Sequence, residues 1–217
     1  MKRLIPAIII SIIGITIAYF MIDQPKKLKV YNPIDINPDL VDESVRKVDK
    51  YHRVGSFNLI NQNGEKTTEN DFRNKIYVTD FFFVTCPTIC PKMTDQMHRV
   101  YEEFKENDDI LFLSHTVMPE ADSVPVLKDY AEKLKVDVKK WKFVTGDKKQ
   151  IYNLARKTYF AAVTEGDGGV NDFIHTENFV LVDKEKRLRG FYDGTSKKDV
   201  DRLIEDINAL LYEYKDN

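Results

Sequence analysis

The apolar positions of this chain change their spacing several times, and each change predicts an element. Residues 4–22 are almost unbroken hydrocarbon, with Ile8, Ile9, Ile10, Ile12 and Ile13, and only Ser11 and Thr16 as polar interruptions. At about 1.5 Å of rise per residue such a run reaches across a bilayer core, so it predicts one membrane-spanning helix. From 23 to 50 no period of 2 or 3.6 survives, and Pro25, Pro33 and Pro38 stand among charges. That stretch reads as a linker. A folded domain is expected over 51–217, behind an anchor of residues 1–22.

Inside the domain, 57–60 and 66–68 flank Asn63-Gly64, a hairpin turn signal. Residues 69–72 suit a single helical turn. Residues 76–84 are β-formers and aromatics without alternation, which predicts a strand buried on both faces. Met93, Met97, Val100, Tyr101 and Phe104 share one stripe at helical spacing, placing a helix over 91–106. A strand (109–117), a helix (124–134), a short strand (141–144) and a helix (149–158) follow. A glycine-rich loop (164–169), a hairpin of 179–183 and 187–192, and an amphipathic helix over 198–212 complete the pattern.

This order predicts an α/β class with a mixed sheet. A strand that ends in two cysteines at the start of a helix, with a hairpin and helix at the C-terminus, is the thioredoxin arrangement. The expected architecture is therefore a thioredoxin-like fold with an N-terminal hairpin, preceded by one transmembrane helix.

Composition alters little. With 217 residues, 42% apolar and 31% charged, the chain suits one ordinary domain plus extra length. A net charge of −2 gives no reason to expect a nucleic-acid partner. Lys2 and Arg3 ahead of the span favour a cytoplasmic start, although Lys26, Lys27 and Lys29 beyond it argue the other way. No small-x-small site ends the span, so an uncleaved anchor is expected. The short leader lacks a transit-peptide composition. The expected location is a bacterial inner membrane, with the domain on the periplasmic side.

Chemistry concentrates at Cys86 and Cys90, the only cysteines, with three residues between them. A helix N-terminus stabilises anions and makes a thiolate easier to form. Pro91 suits the first helical turn, whereas Cys90, preceding a proline, is biased away from helical dihedrals. That favours a flexible two-thiol loop. Buried packing, a structural disulfide, redox exchange and metal binding all remain open from the pair alone. Of four histidines, His175 is the partner of choice, because it follows the glycine-rich loop and a thioredoxin-like fold turns that position toward the cysteines. His115, inside a strand, suits a core or surface role. Two thiolates and an imidazole form a soft, low-coordination site fitted to copper, while a structural zinc would want a fourth ligand. The last proline is Pro125, so no cis-proline can face the thiols as it does in general disulfide reductants. Asp80, six residues before Cys86, is a candidate proton carrier for thiol exchange.

The segment Cys86-Pro87-Thr88-Ile89-Cys90-Pro91, with Ser114-His115-Thr116-Val117 and Phe173-Ile174-His175, resembles the SCO/SenC family of copper chaperones over about residues 51–212. The resemblance implies a membrane-tethered thioredoxin-fold protein that binds copper and helps assemble the binuclear copper centre in subunit II of cytochrome c oxidase. It implies Cys86, Cys90 and His175 as copper ligands. Some family members reduce the cysteines of that subunit with the same pair, so a thiol–disulfide oxidoreductase is the alternative. One departure stands out: many members carry Asp-Pro-Glu where this chain has Met118-Pro119-Glu120, and Asp122 is a candidate substitute for the missing charge.

Overall fold

In a computed structural model, the residues described are 11–15, 27–36, 47, 50–162, 168–169 and 172–215. The expected anchor over 1–22 lies outside them except for 11–15, which are helical and exposed. Among the described residues no helix is long and apolar enough to cross a membrane.

The hairpin forms where the Asn-Gly signal put it, as β1 (Asn58–Asn61) and β2 (Lys66–Thr68). Gly64 takes the positive φ of 78° that the turn requires. A 3-10 turn, Glu69–Phe72, leads to β3 (Ile76–Phe82), all seven residues of which are buried. Then follow α1 (Ile89–Phe104), β4 (Ile110–Thr116), α2 (Val124–Leu134), β5 (Trp141–Thr145), α3 (Lys148–Asn153), β6 (Asn178–Val182), β7 (Leu188–Asp193) and α4 (Lys197–Glu213). The seven strands make one sheet in the order β2-β1-β5-β4-β3-β6-β7. β3 and β4 run parallel, as do β4 and β5, while β6 and β7 are antiparallel additions.

Period-2 alternation divides the central strands between two cores. Ile76, Val78 and Phe82 face one side with Cys86, Cys90, Met93, Met97 and the apolar stripe of α4. Tyr77 and Phe81 face the other, with Leu59, Ile151, Tyr159 and Phe160. Asp80 shares the parity of Val78 and Phe82, so it lies on the cysteine face.

Two sequence expectations need correction. Cys90 is not in a loop but in the first turn of α1, with Pro91 next to it. The first turn tolerates proline because its N–H groups have no intrahelical acceptor, and that outweighs the bias on the residue before it. Residues 28–36, expected to lie free within the linker, are laid along the domain: Leu28 and Ile36 are buried, and Tyr31 bridges to Leu188 of β7. Further on, the helix expected over 149–158 is α3 followed by a π-helical turn, Leu154–Thr158.

Candidate functional site

The two cysteines sit where β3 hands over to α1. Both are buried and reduced. Helix α1 has Thr88 at its N-cap, yet the Thr88 side chain makes no capping bond. The Cys86 sulfur takes that role instead: the Cys90 backbone N–H donates to Cys86 Sγ at 3.5 Å, and the Thr88 hydroxyl lies 3.9 Å from it. A capping acceptor at a helix N-terminus gains from carrying negative charge. Burial pushes the Cys86 thiol up, but hydrogen bonds from the backbones of Thr88 and Cys90 and from their side chains outweigh it, and the pKa falls to about 7. Cys90 moves the opposite way. Its own burial, opposed only by a hydrogen bond with the Phe83 backbone, joins the nearby Cys86 and Asp80 to push it up to about 12. One sulfur is ready as a thiolate and the other is held as a thiol.

Behind them, Asp80 is buried in mid-strand and is not a solvent-facing strand end. In the parallel register Asp80 opposes Ser114, and the Ser114 hydroxyl donates to Asp80 Oδ1 at 2.5 Å. Trp141 Nε1–H, which can only donate, bonds Ser114 Oγ at 2.8 Å. The serine proton is thereby committed to Asp80. Burial nevertheless dominates, and the Asp80 carboxyl rises to about 7 despite the Ser114 bond and one from its own backbone.

His115 lies on the opposite face. It is fully buried, stacked on Phe81 at 4.7 Å, with Nδ1 3.1 Å from Thr79 Oγ1. Burial lowers its pKa to about 3. It is a core histidine. His52 and His98 each reach a backbone carbonyl, of Thr158 and Leu134 respectively.

Asp122 does not present a charge in place of the missing family acid. It is buried, and its Oδ2 accepts from the Val84 N–H at 3.1 Å and from the Thr116 hydroxyl at 2.5 Å. It ties the end of β4 to the run-up to the cysteines. Met118 is half-buried and packs at the edge of the second core.

His175 stands on segment 172–177, which lies outside regular secondary structure just before β6. Ile174 and Thr176 point inward and Phe173, His175 and Glu177 outward, so strand-like alternation leaves the imidazole exposed. The segment is nonetheless joined to the thiol loop, because Phe173 meets Phe83 edge to face at 5.5 Å. Among the described residues, no group of three or more His, Cys, Asp or Glu side chains is gathered closely enough to hold a metal ion. The structure brings Cys86 and Cys90 together, sets Asp80 behind them, and leaves His175 on a neighbouring arm.

Sequence reasoning missed the roles of Ser114 and Trp141. A signal was present, since Asp80 and Ser114 are polar residues within two buried strands, at positions that pair in register. It also missed Arg156 and Asp172, which form a buried ion pair at 2.6 Å with no sequence proximity to signal it.

Known proteins place this geometry. A profile of the SCO1/SenC family matches residues 45–212. The SCO1 protein homolog of Bacillus subtilis (strain 168) is 30% identical over 160 residues, which span 73% of this chain and 82% of the relative. The structure of BsSco, described as a member of the Sco family of cytochrome c oxidase assembly proteins with a disulfide switch, matches with a TM-score of 0.63 and 30% identity. That match covers 76% of this chain and 96% of BsSco. Yeast Sco1 with copper bound matches with a TM-score of 0.55 and 25% identity, over 74% of this chain and 95% of the yeast chain. A mixed sheet whose β3–α1 junction carries paired thiols, matched over most of its length by that profile and those relatives, makes this chain a member of the SCO1/SenC family, on a thioredoxin-like fold.

Proposed function

We propose that this protein is a copper metallochaperone: a carrier that takes copper onto Cys86, Cys90 and His175 and passes it to the binuclear copper site of cytochrome c oxidase subunit II. In this reading residues 1–22 anchor it in a bacterial inner membrane, 23–50 link anchor to domain, and 51–217 carry the cargo on the periplasmic side. The observation that carries it is the capping sulfur of Cys86, a thiolate near neutral pH beside a second cysteine. Soft thiolates select copper over harder ions. The copper held by yeast Sco1 and the cytochrome c oxidase assembly role of the family of BsSco support the cargo and the destination. Loading releases the Cys90 proton, because only a thiolate ligates, and Asp80 on the same face is placed to accept it. Closing the site requires the imidazole of His175 to turn in from its exposed position.

A second reading rests on the opposed thiols. A Cys86 thiolate near pKa 7 and a Cys90 thiol near 12 are the attacking and resolving members of an exchange pair. Cys86 would attack a target disulfide, releasing one target thiolate and forming a mixed disulfide. Cys90, giving its proton to the Asp80 carboxylate, would then attack Cys86 Sγ and release the second target thiolate. The target gains two electrons and the Cys86–Cys90 pair loses them.

Anaerobic copper titration of the full-length protein in detergent, followed by absorption, separates the two. The chaperone reading expects a tight one-to-one complex that weakens strongly in His175→Ala while stoichiometric disulfide reduction is unchanged. Copper binding indifferent to His175→Ala, with target reduction intact, would turn the assignment to the reductase.

A further inference from the structure

The arm that carries His175 begins at a device no part of the thiol chemistry uses. The Arg156 guanidinium forks onto the Asp172 carboxylate, Nη1 to Oδ2 at 2.6 Å and Nη2 to Oδ1 at 2.7 Å, and the Gly168 N–H donates to Oδ2 at 2.7 Å. Both side chains are more than nine-tenths buried. A fork of this kind fixes orientation as well as distance. The Arg156 hydrogen bonds hold the Asp172 carboxyl below the usual carboxylate range, so the pair stays ionised at working pH.

Two further observations tie the pair to the thiol side. Arg156 rides on the π-helical turn Leu154–Thr158, and two residues beyond that turn stands Phe160, a buried aromatic held at φ 50°. Such turns and left-handed non-glycine residues persist where the surroundings impose them, often at functional sites. The Tyr152 ring lies under the guanidinium, 5.4 Å from centroid to Cζ, and its hydroxyl is shared between the carbonyls of Val117, at 2.9 Å, and Asp172, at 3.3 Å. Val117 in turn donates its N–H to Phe82 O, at the end of the strand that delivers the cysteines. Asp172 is thus bonded through Tyr152 and Val117 to the base of the thiol loop. His175 is three residues beyond it.

We propose that the Arg156–Asp172 pair is a positioning device for His175, fixing the root of its arm relative to the Cys86–Cys90 loop so that the imidazole closes onto a thiol-bound copper ion. The inference rests on the copper reading above. Arg156 and Asp172 touch neither thiol nor metal and act only through the arm.

The test is a double-mutant cycle on the full-length protein in detergent, with copper affinity as one readout and hydrogen exchange of the 172–177 amides without copper as the other. Arg156→Lys keeps the charge and loses the fork, and Asp172→Asn keeps the shape and loses the charge. Each is expected to weaken copper binding by about 10-fold or more, the scale seen when a partner that orients a ligand is removed. Neither should weaken it further in a His175→Ala background. Exchange at 172–177 should quicken while α1 and β3 stay protected. Equal losses with and without His175 would mean that the pair serves the fold and not the histidine, which overturns the proposal. Normal copper affinity in both variants, with His175→Ala still defective, overturns it as well while the copper reading survives. Copper affinity untouched in His175→Ala itself sinks the copper reading and the positioning role together. Should Asp172→Asn fail to fold, Arg156→Lys carries every comparison.

Discussion

The thiol side and the histidine side of this site are built by different means. Cys86 and Cys90 sit at the junction of a strand buried on both faces and a sixteen-residue helix, with a backbone N–H, a carboxyl, a serine and an indole arranged around them. Their acidities are set by that surround. His175 sits on a segment outside any ladder, held by side chains: the Arg156–Asp172 fork, the Phe173–Phe83 contact, and the Thr176 hydroxyl donating to Ala161 O. Regular structure fixes chemistry, because every neighbour is determined by register. An arm held at a few points fixes position and leaves the end free to turn. A carrier of the kind proposed above, which must both keep and surrender copper, would need one part of each kind.

The largest expected effect lies on the fixed side. Cys86→Ser should abolish copper retention through desalting, because a serine hydroxyl neither ionises near pH 7 nor offers a soft donor. Retention comparable to that of His175→Ala would mean that the two sides contribute alike, and the contrast between them would fail.

Next comes Asp80. In the fold it keeps its proton to about pH 7, against 3.8 as an ordinary side chain, so the folded state binds more protons between those values. Stability therefore falls as pH rises through that window. Roughly three units at 1.36 kcal/mol each is on the order of 4 kcal/mol. Asp80→Asn should match the wild type below pH 4 and exceed it above pH 7 in urea midpoints. Identical pH profiles for the two proteins would show that the carboxyl is not desolvated as described.

Asp122→Ala removes the shared acceptor of Val84 N–H and Thr116 Oγ1. Leaving such donors short costs about 1–3 kcal/mol, read as a lower melting temperature. The loss should be accompanied by faster alkylation of Cys86, since Val84 leads into its loop. A melting temperature within error of the wild type would remove Asp122 from the thiol side's scaffold. The smallest effect is at the joint between the sides. Phe173→Ala removes an edge-to-face pair worth about 0.5–1.5 kcal/mol and should hasten copper release more than it lowers stability. A change in stability alone would make Phe173 a packing residue and nothing more.

The sequence exposed the thiol side better than the histidine side. Helix α2 was readable to its bounds, 124–134, though its buried Leu127 was not singled out, and β3 was readable because its apolar run admits few alternatives. Cys90 was misplaced into a loop because two proline rules compete there, and only the cap geometry decides between them. Asp80 was visible as an acid at a telling distance from Cys86. Its burial was not, since that depends on β4 supplying Ser114 and β5 supplying Trp141. Arg156 and Asp172 are separated by 16 positions and a glycine-rich loop, so no periodicity links them. The histidine could be chosen by its place in the order of elements, but not its outward direction, which follows from Ile174 and Thr176 taking the inward positions.

The strand of chain laid down before the domain has a practical corollary. Leu28 O accepts from the buried Arg189 guanidinium, Tyr31 N–H donates to Leu188 O, and the Tyr31 ring meets Phe191 edge to face. Together they cover the Leu188 end of the outer margin of β7, which would otherwise present unpaired backbone groups to any passing strand. A soluble domain trimmed to residue 51 begins beyond this strap. It would uncover that margin and leave Arg189 without one of its acceptors, exposing an edge open to strand-to-strand pairing. Trimmed instead to residue 27, it keeps the margin closed.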